Sequence, residues 1–279
     1  MDDPRSRQVR FNAGSRDQWA GFEEHRTQVS ALLGAGQSGA ISRLCVLGAG
    51  NTNDLDLPAL LEAQREVHLV DLDPRALEGG AFRQGQGHEP RLLLHGGLDV
   101  TAMIDTFARW SPLDRVAPGD LEALVDWPSR RVPLALPCPF DVVASTCLLS
   151  QIVGNAFESL GDQHPQLDET VAAIRLGHLR LLARLARPGG RVVLISDVVN
   201  SDRVPELLKV PDSALAGYLN DLSEKGGTIR GMNPTKVLNL LRRDPVLGSK
   251  IAGIEVPAPW RWKLHRRIYL VWASIWTIA

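Results

Sequence analysis

Apolar and polar positions along the chain follow two periods, which predict strands and helices in turn. Between Arg43 and Leu47 the residues after the arginine are all apolar, which is typical of a strand buried on both faces of a parallel sheet. A helix is predicted over 56–65, with Pro58 tolerated in its first turn, and a second apolar run ends in Asp71. Three more strands are predicted, at 91–95, 140–145 and 191–196, with helices at 101–110 and 168–187 between them. The alternation predicts an α/β fold built on a mostly parallel sheet.

The N-terminal region and two internal segments depart from this alternation. Residues 1–15 are polar and are predicted to be ordered only by what they touch. Apolar residues recur at helical spacing over 17–33, which predicts a helix that the glycine-rich run 34–39 ends. The proline-rich segment 111–139 is predicted to be a surface insertion with one short helix at 121–127, able to shape a pocket wall. The polar segment 200–231 is predicted to be a lid or a substrate-facing insertion.

Near the C-terminus the pattern becomes regular again. Asn233-Pro234 predicts a helix start, with asparagine as the N-cap and proline at the first helical position. Residues 253–279 alternate between apolar and polar side chains in two places and are predicted to form a pair of strands. We therefore expect a single domain over 41–279, preceded by a helical cap over 1–40.

The turn after the first strand carries the clearest chemical signal. Gly48-Ala49-Gly50 follows the strand directly, where the chain must turn tightly and allow a ligand to approach the backbone. Asp71 stands about 20 residues further on, at the end of the second strand, where a carboxylate can accept hydrogen bonds from ribose hydroxyls. This combination predicts half of a site for a nucleoside cofactor.

The residues after the glycine turn bear on which cofactor it is. A dinucleotide fingerprint has a third glycine three residues after the second, and Asn53 occupies that position here. The turn Asn51-Thr52-Asn53-Asp54 is acidic and rich in amides, so it is a poor seat for a diphosphate. Its side chains and backbone N–H groups suit a ligand with an ammonium and a carboxylate, as in S-adenosylmethionine.

Four runs, VLGAGNTND, VHLVDLD, FDVVAS and RPGGRVVLISD, together resemble the class I S-adenosylmethionine-dependent methyltransferase family over roughly residues 41–199. The resemblance implies a Rossmann-like, doubly wound sheet of seven strands, mostly parallel with an antiparallel C-terminal strand, and helices on both faces. It also implies S-adenosylmethionine as the cofactor. Its methionine part would lie against Gly48, Ala49, Gly50 and the adjacent Asn51, its ribose at Asp71 beside Leu72, and its adenine at Leu98, Asp99 and Val100.

Ligands of open parallel sheets bind beyond the carboxyl ends of the strands, which directs attention to the residues after the fourth strand. Ser145 is predicted to face the cofactor, Thr146 and Ser150 to face the substrate, and Gln151 to orient an acceptor. If the acceptor needs a base, His25 in the N-terminal helix and His95 at the third strand are the candidates, and Arg26 is predicted to face the substrate. His178, in the helix at 168–187, is interpreted as having no chemical role.

Composition narrows the partners. The formal net charge is −1, which gives no electrostatic reason to expect nucleic acid, so a small-molecule acceptor is predicted. The three cysteines lack metal-ligand spacing and indicate free thiols in a reducing cytoplasm, and no metal is expected. The charged N-terminus predicts no signal peptide, and the apolar stretch 268–279 is too short to span a bilayer.

Two alternatives remain open on these residues. An NAD(P)-dependent oxidoreductase shares the glycine turn and the acid of the second strand. A non-catalytic protein of the methyltransferase fold would bind a nucleoside or a partner with the same residues.

Overall fold

The structure is a computed structural model that describes residues 3–34 and 42–279. Within these residues the strands are β1 (Arg43–Leu47), β2 (Glu66–Asp71), β3 (Leu92–Gly96), β4 (Phe140–Thr146), β5 (Ala186–Asn200), β6 (Ile251–Glu255), β7 (Trp260–Leu264) and β8 (Arg267–Ile278). They form one sheet in the order β3-β2-β1-β4-β5-β8-β6, and β7 pairs with the first part of β8.

Five strands of this sheet are parallel, from β3 to β5, and β8 runs antiparallel to β5. The prediction of an α/β, mostly parallel sheet that closes with antiparallel strands is therefore confirmed. The C-terminal region differs in detail, because β6 and β7 pair with opposite halves of the long β8 where two strands were predicted. The sheet has eight strands in the described residues, one more than expected.

The described helices are α1 (Pro4–Ser15), α2 (Glu23–Gly34), α3 (Leu57–Ala63), α4 (Pro74–Arg83), α5 (Ile104–Arg109), α6 (Pro118–Arg131), α7 (Leu148–Leu160), α8 (Leu167–Leu185), α9 (Leu215–Glu224), α10 (Pro234–Arg243) and α11 (Pro245–Gly248). Local chemistry starts several of them. The carboxylates of Asp56 and Asp73 accept from backbone N–H groups in the first turns of α3 and α4, and Asn233 does the same for α10, as predicted. The predicted end of α2 at 34–39 and the boundary at 40 lie mostly outside the described residues.

The apolar core lies on both faces of the sheet, as a doubly wound fold requires. In β1, Leu44 and Val46 point into the cluster beneath α2, α3 and α4, while Cys45 and Leu47 point into the cluster beneath α6, α7 and α8. All four side chains are fully buried. This alternation of faces explains why the sequence of β1 is a continuous apolar run.

Two segments that were predicted to be irregular are helices. Residues 4–15 form α1, and the proline-rich segment 111–139 contains α6, which packs against α8. The prediction of a surface excursion is wrong for α6, because Ala123, Leu124 and Pro128 are buried in the core. The segment 200–231 likewise contains α9, and Leu207 and Leu219 of this segment are buried.

Candidate functional site

A cleft opens at the carboxyl ends of β1, β2, β4 and β5, next to the point where the strand order reverses between β1 and β4. Its wide part encloses about 990 Å³ of empty space, some of it open to solvent, and a narrower extension runs from it toward α5. Gln8, Gly48, Asp71 and Gln151 line both parts, so they form one continuous site.

The glycine turn forms the floor of this cleft, and its backbone is fixed from below. The amides of Gly48 and Ala49 donate to the carbonyl of Val70 at 2.9 and 3.1 Å. Gly48 has a φ of 77°, and a Cβ there would come within 2.7 Å of the Cβ of Leu148 at the start of α7. Only glycine fits this close approach without a shift.

Asp71 is the most constrained side chain of the cleft. Its Oδ2 accepts from the amide of Gly50 at 2.8 Å, and its Oδ1 accepts from the amide of Asp73 at 2.9 Å. The side chain of Asn12 also donates to Oδ1, at 3.4 Å. Burial raises the pKa of Asp71, and the hydrogen bonds from Asp73 and Gly50 offset part of that rise. A rigid carboxylate acceptor therefore stands where the sequence predicted it.

The amide-rich turn after the glycines lines the cleft, but its amide nitrogens have other partners. Asn51 donates to the carbonyl of Asn12 at 2.6 Å and to the hydroxyl of Ser15 at 3.0 Å, and Asn53 donates to the carbonyl of Ser15 at 2.6 Å. These side chains hold α1 over the cleft. Asp54 also lines the cleft, and burial raises its pKa to about 6, with Thr146 favouring the ionised form.

The narrow extension is an apolar slot, and it contains the predicted residues of the second and third strand ends. Leu72, Leu98, Asp99 and Val100 line it. The carboxylate of Asp99 also organises the loop, because it accepts from the amides of Thr101 and Ile104, each at 2.8 Å. The remaining walls come from apolar side chains that the sequence did not single out: Ile104, Phe107, Leu148 and Ile152.

Helix α1 covers the cleft through polar contacts, and sequence reasoning missed it. Gln8 donates to Gln151 at 3.0 Å, and Asn12 reaches both Asp71 and Asp73. Phe11 and Ser15 line the cleft as well. The sequence did contain a signal for the start of this helix, since the carboxylate of Asp3 caps α1 and Pro4 occupies its first turn.

His25 lines the cleft in a neutral form. It is 1% exposed, and burial lowers its pKa to about 3. Its ring stacks on Trp262 with centroids 4.4 Å apart, and its Nδ1 accepts from the indole N–H of Trp260 at 3.2 Å. Because Nδ1 is occupied as an acceptor, Nε2 carries the proton and acts as a donor.

Three other predicted residues do not reach the cleft. Arg26 donates to the carbonyls of Asn53 and Trp19 and stacks on the Trp19 ring, so it supports the turn from beneath. Ser145 is fully buried, and its hydroxyl lies 2.8 Å from Nε2 of His178. His95 contacts His68 on the neighbouring strand, with ring nitrogens 3.0 Å apart. With these positions and partners, the three side chains do not contact a ligand in the cleft.

Residues of the last parts of β4 and β5 and of the first turn of α7 line the wide part of the cleft. Thr146, Ser150 and Gln151 are among them, and Gln151 donates to the carbonyl of Cys147 at 3.2 Å. The unpredicted member is Asp197 of β5, whose Oδ1 accepts from the hydroxyl of Ser150 at 2.6 Å. Burial raises the pKa of Asp197 to about 6, and Ser150 offsets part of the rise. The sequence signal was available, since an acid follows the apolar run of the fifth strand.

The two insertions that were expected to shape the pocket contribute no residue to the lining of the cleft. Residues 111–139 and 200–231 are all described, and none of them lines the wide or the narrow part of the cleft. Leu124 and Pro128 line a small cavity beside His178, which shares Val100, Thr101 and Ile152 with the narrow part of the cleft.

The raised pKa of Asp197 predicts a change in stability with pH. Between about pH 4 and pH 6 the folded carboxyl keeps a proton that the unfolded one has lost, so this group's contribution falls as the pH rises through that window. Asp197→Asn removes the buried charge and should raise the free energy of unfolding near neutral pH by about 1–2 kcal/mol, after allowance for partial solvent access. The gain should vanish at about pH 4.

Thermal unfolding of the unliganded protein at the two pH values measures this effect. Asp162→Asn, at an exposed position, is the matched control and should change neither value. A destabilised Asp197→Asn protein at neutral pH contradicts the assigned burial.

In the described part of the chain, no group of three or more His, Cys, Asp or Glu side chains is arranged to hold a metal ion. Every helix within residues 3–34 and 42–279 is too short or too polar to span a bilayer.

No family model and no curated protein sequence matches this chain. Solved structures do resemble it. The N-methyltransferase NodS from Bradyrhizobium japonicum WM9, in complex with S-adenosyl-L-homocysteine, has a TM-score of 0.48 at 12% identity, covering 99% of each chain. The YcgJ protein from Bacillus subtilis has a TM-score of 0.45 at 13% identity, over 91% of this chain and 98% of the other. Magnesium protoporphyrin IX methyltransferase from Synechocystis PCC 6803, with bound S-adenosylhomocysteine, has a TM-score of 0.45 at 11% identity, over 92% and 84%. At these values the likeness concerns the arrangement of strands and helices alone.

Proposed function

We propose that this chain is an S-adenosylmethionine-dependent methyltransferase that acts on a small-molecule acceptor. The observation that carries the proposal is the continuous cleft in which Asp71 is fixed between the glycine turn and an apolar slot. Its parts correspond in order to the parts of an adenosyl cofactor. From the narrow extension to the wide part of the cleft, these are the apolar slot, the carboxylate of Asp71, the glycine turn and the acidic region around Asp197.

The residues fit the cofactor group by group. The slot formed with Leu72, Leu98 and Val100 suits the adenine ring, and Asp71 suits the two ribose hydroxyls. Gly48 and Gly50 line this part of the cleft with backbone and no Cβ, which favours close approach of the methionine part there. Asp54 lines the same region and suits the ammonium of that part.

When bound, S-adenosylmethionine supplies an electrophilic methyl group, so the chain needs mainly to orient the acceptor and exclude water. Gln151 accepts from Gln8 and donates to the carbonyl of Cys147, and we propose that its second amide hydrogen orients an acceptor. His25 acts as a hydrogen-bond donor, because its Nδ1 is already occupied by Trp260. We therefore do not propose His25 or His95 as a general base.

The oxidoreductase alternative is less well supported by the same geometry. A diphosphate at the glycine turn would face the carboxylates of Asp54 and Asp71, and the residues that line the cleft include no lysine or arginine to balance it. The non-catalytic alternative differs from the proposal only in turnover. It predicts cofactor binding without methyl transfer to any acceptor.

Calorimetric titration of the purified protein tests the proposal. S-adenosylmethionine and S-adenosylhomocysteine should bind with micromolar or lower dissociation constants, and NAD should give no heat of binding. Tight binding of NAD with no binding of either adenosyl ligand contradicts the proposal and favours the oxidoreductase.

A further inference from the structure

The charged side chains that line the wide part of the cleft are all acidic. Asp54, Asp71 and Asp197 line it, and no lysine or arginine is among the lining residues. His25, the other titratable side chain there apart from Cys147 and Tyr269, is held neutral by burial. Carboxylates in such a partly desolvated site favour a cationic ligand, since no positively charged side chain in the lining balances their charge.

Two of these acids have a role in binding the proposed cofactor, whereas the third, Asp197, does not. Asp71 faces the ribose end, and Asp54 belongs to the turn that faces the methionine part. Asp197 lies within β5 and lines the same part of the cleft, and the proposal places the acceptor there. Ser150 uses one of its oxygens, and within the described residues no side chain donates to the other.

Thr146 supports a negative charge in this part of the cleft. It is 2% exposed and lines the cleft, and its hydroxyl lies beside the carboxyl of Asp54, whose ionised form it favours. A carboxylate at Asp54 adds to the preference of the site for a cation.

A cluster of aromatic side chains also lines this part of the cleft. His25 stacks on Trp262, and the ring centroids of Phe22 and Tyr269 lie 4.7 and 5.0 Å from that of Trp262. All four side chains line the wide end. A cleft lined by both aromatic rings and carboxylates suits a molecule with an apolar or aromatic body and a positive end, because ring faces attract cations as well as apolar surface.

We propose that the methyl acceptor is an amine with an aromatic or apolar body, whose nitrogen lies against Asp197 and whose body lies against the wall of Trp262. This inference rests on the proposed methyltransferase function and adds the substrate class. During transfer the ammonium first gives a proton to the Asp197 carboxylate. The nitrogen lone pair then bonds to the methyl carbon while the carbon–sulfur pair stays on sulfur, and the proton leaves to water.

The test compares three molecules of similar shape on protein saturated with S-adenosylhomocysteine: 2-phenylethylamine, 2-phenylethanol and 3-phenylpropionate. Calorimetry should show the amine binding at least about tenfold more tightly than either of the others, as expected of a hydrogen bond to a charged group. Equal or tighter binding of the alcohol or the acid overturns the proposal. Absence of amine binding at millimolar concentration does so as well.

Matched variants assign the preference to one side chain. Asp197→Asn should bring the affinities of amine and alcohol to within about threefold of each other, because the ion pair is gone. Asp162→Asn should keep the full preference. A preference that survives in Asp197→Asn overturns the assignment.

The binding of S-adenosylhomocysteine separates the two levels of the proposal. Asp197→Asn should leave that affinity unchanged, because Asp197 faces the acceptor end. If the unaltered protein does not bind S-adenosylhomocysteine, the methyltransferase proposal itself has failed. If it binds but shows no amine preference, only the substrate class has failed.

Discussion

Replacement of Asp71 by alanine should weaken the binding of S-adenosylhomocysteine by about 100-fold or more. Each hydrogen bond to a charged acceptor contributes about 1.5–3 kcal/mol, and the ribose would lose both of its bonds to this carboxylate. The glycine turn would also lose an anchor, since the amide of Gly50 donates to the same side chain at 2.8 Å. Calorimetry on the purified variant measures the loss directly.

Two further variants separate the charge from the shape of this side chain. Asp71→Asn keeps the volume and one acceptor oxygen, so its loss should lie between those of the unaltered protein and Asp71→Ala. Glu78→Gln changes an exposed carboxylate of α4 that does not line the cleft and should have no effect. If Asp71→Ala binds as tightly as its parent, the ribose does not lie at Asp71.

The largest loss of stability is expected from Gly177→Ala. Gly177 lies in α8 where α6 crosses it, and a Cβ there would stand 1.9 Å from the carbonyl oxygen of Leu124. Because that atom belongs to the backbone, one of the two helices must shift, and overpacking of this kind costs about 3 kcal/mol or more. Thermal or denaturant unfolding measures the change.

A second helical glycine provides the opposite expectation. Gly217 lies in α9, and a Cβ there meets no atom within 4 Å. Gly217→Ala should therefore stabilise the protein by about 0.5–1 kcal/mol through the lower entropy of its unfolded chain. If Gly177→Ala proves as stable as Gly217→Ala, α6 does not pack on α8 as described.

The parts of the site that the sequence predicted are the parts that local chemistry determines. The run from Arg43 to Asp71 folds as expected, because its apolar strands, glycine turn and capping aspartates act on neighbouring residues. Asp71 and the strand-end residues Leu98 to Val100 could be placed in one cleft because parallel strands end at the same edge of the sheet.

The parts that were missed depend on contacts between distant residues. Helix α1 has no apolar face, and its position is set by bonds from Asn12, Asn51 and Asn53 across the cleft. Helix α6 contains Pro128 in its interior, so its composition indicated a loop, while its burial against α8 stabilises a helix. Tertiary packing outweighed local propensity at α6, and hydrogen bonds did so at α1.

The wrong predictions of site residues arise because side chains alternate between the two faces of a strand. Ser145 and Thr146 are adjacent in β4, so one points to His178 on the α8 side and the other toward the cleft. The sequence located the end of this strand without fixing which of the two faces each residue occupies. Asp197 was missed because the prediction covered the residues at the end of β4, whereas Asp197 lies in the neighbouring strand β5.

A crystal structure of the protein soaked with S-adenosylhomocysteine tests the central claim most directly. The account predicts both ribose hydroxyls within hydrogen-bonding distance of the Asp71 carboxylate, with the adenine ring between Leu72 and Val100. Ligand density elsewhere, or a diphosphate lying against Asn51 to Asp54 in a parallel soak with NAD, would contradict it.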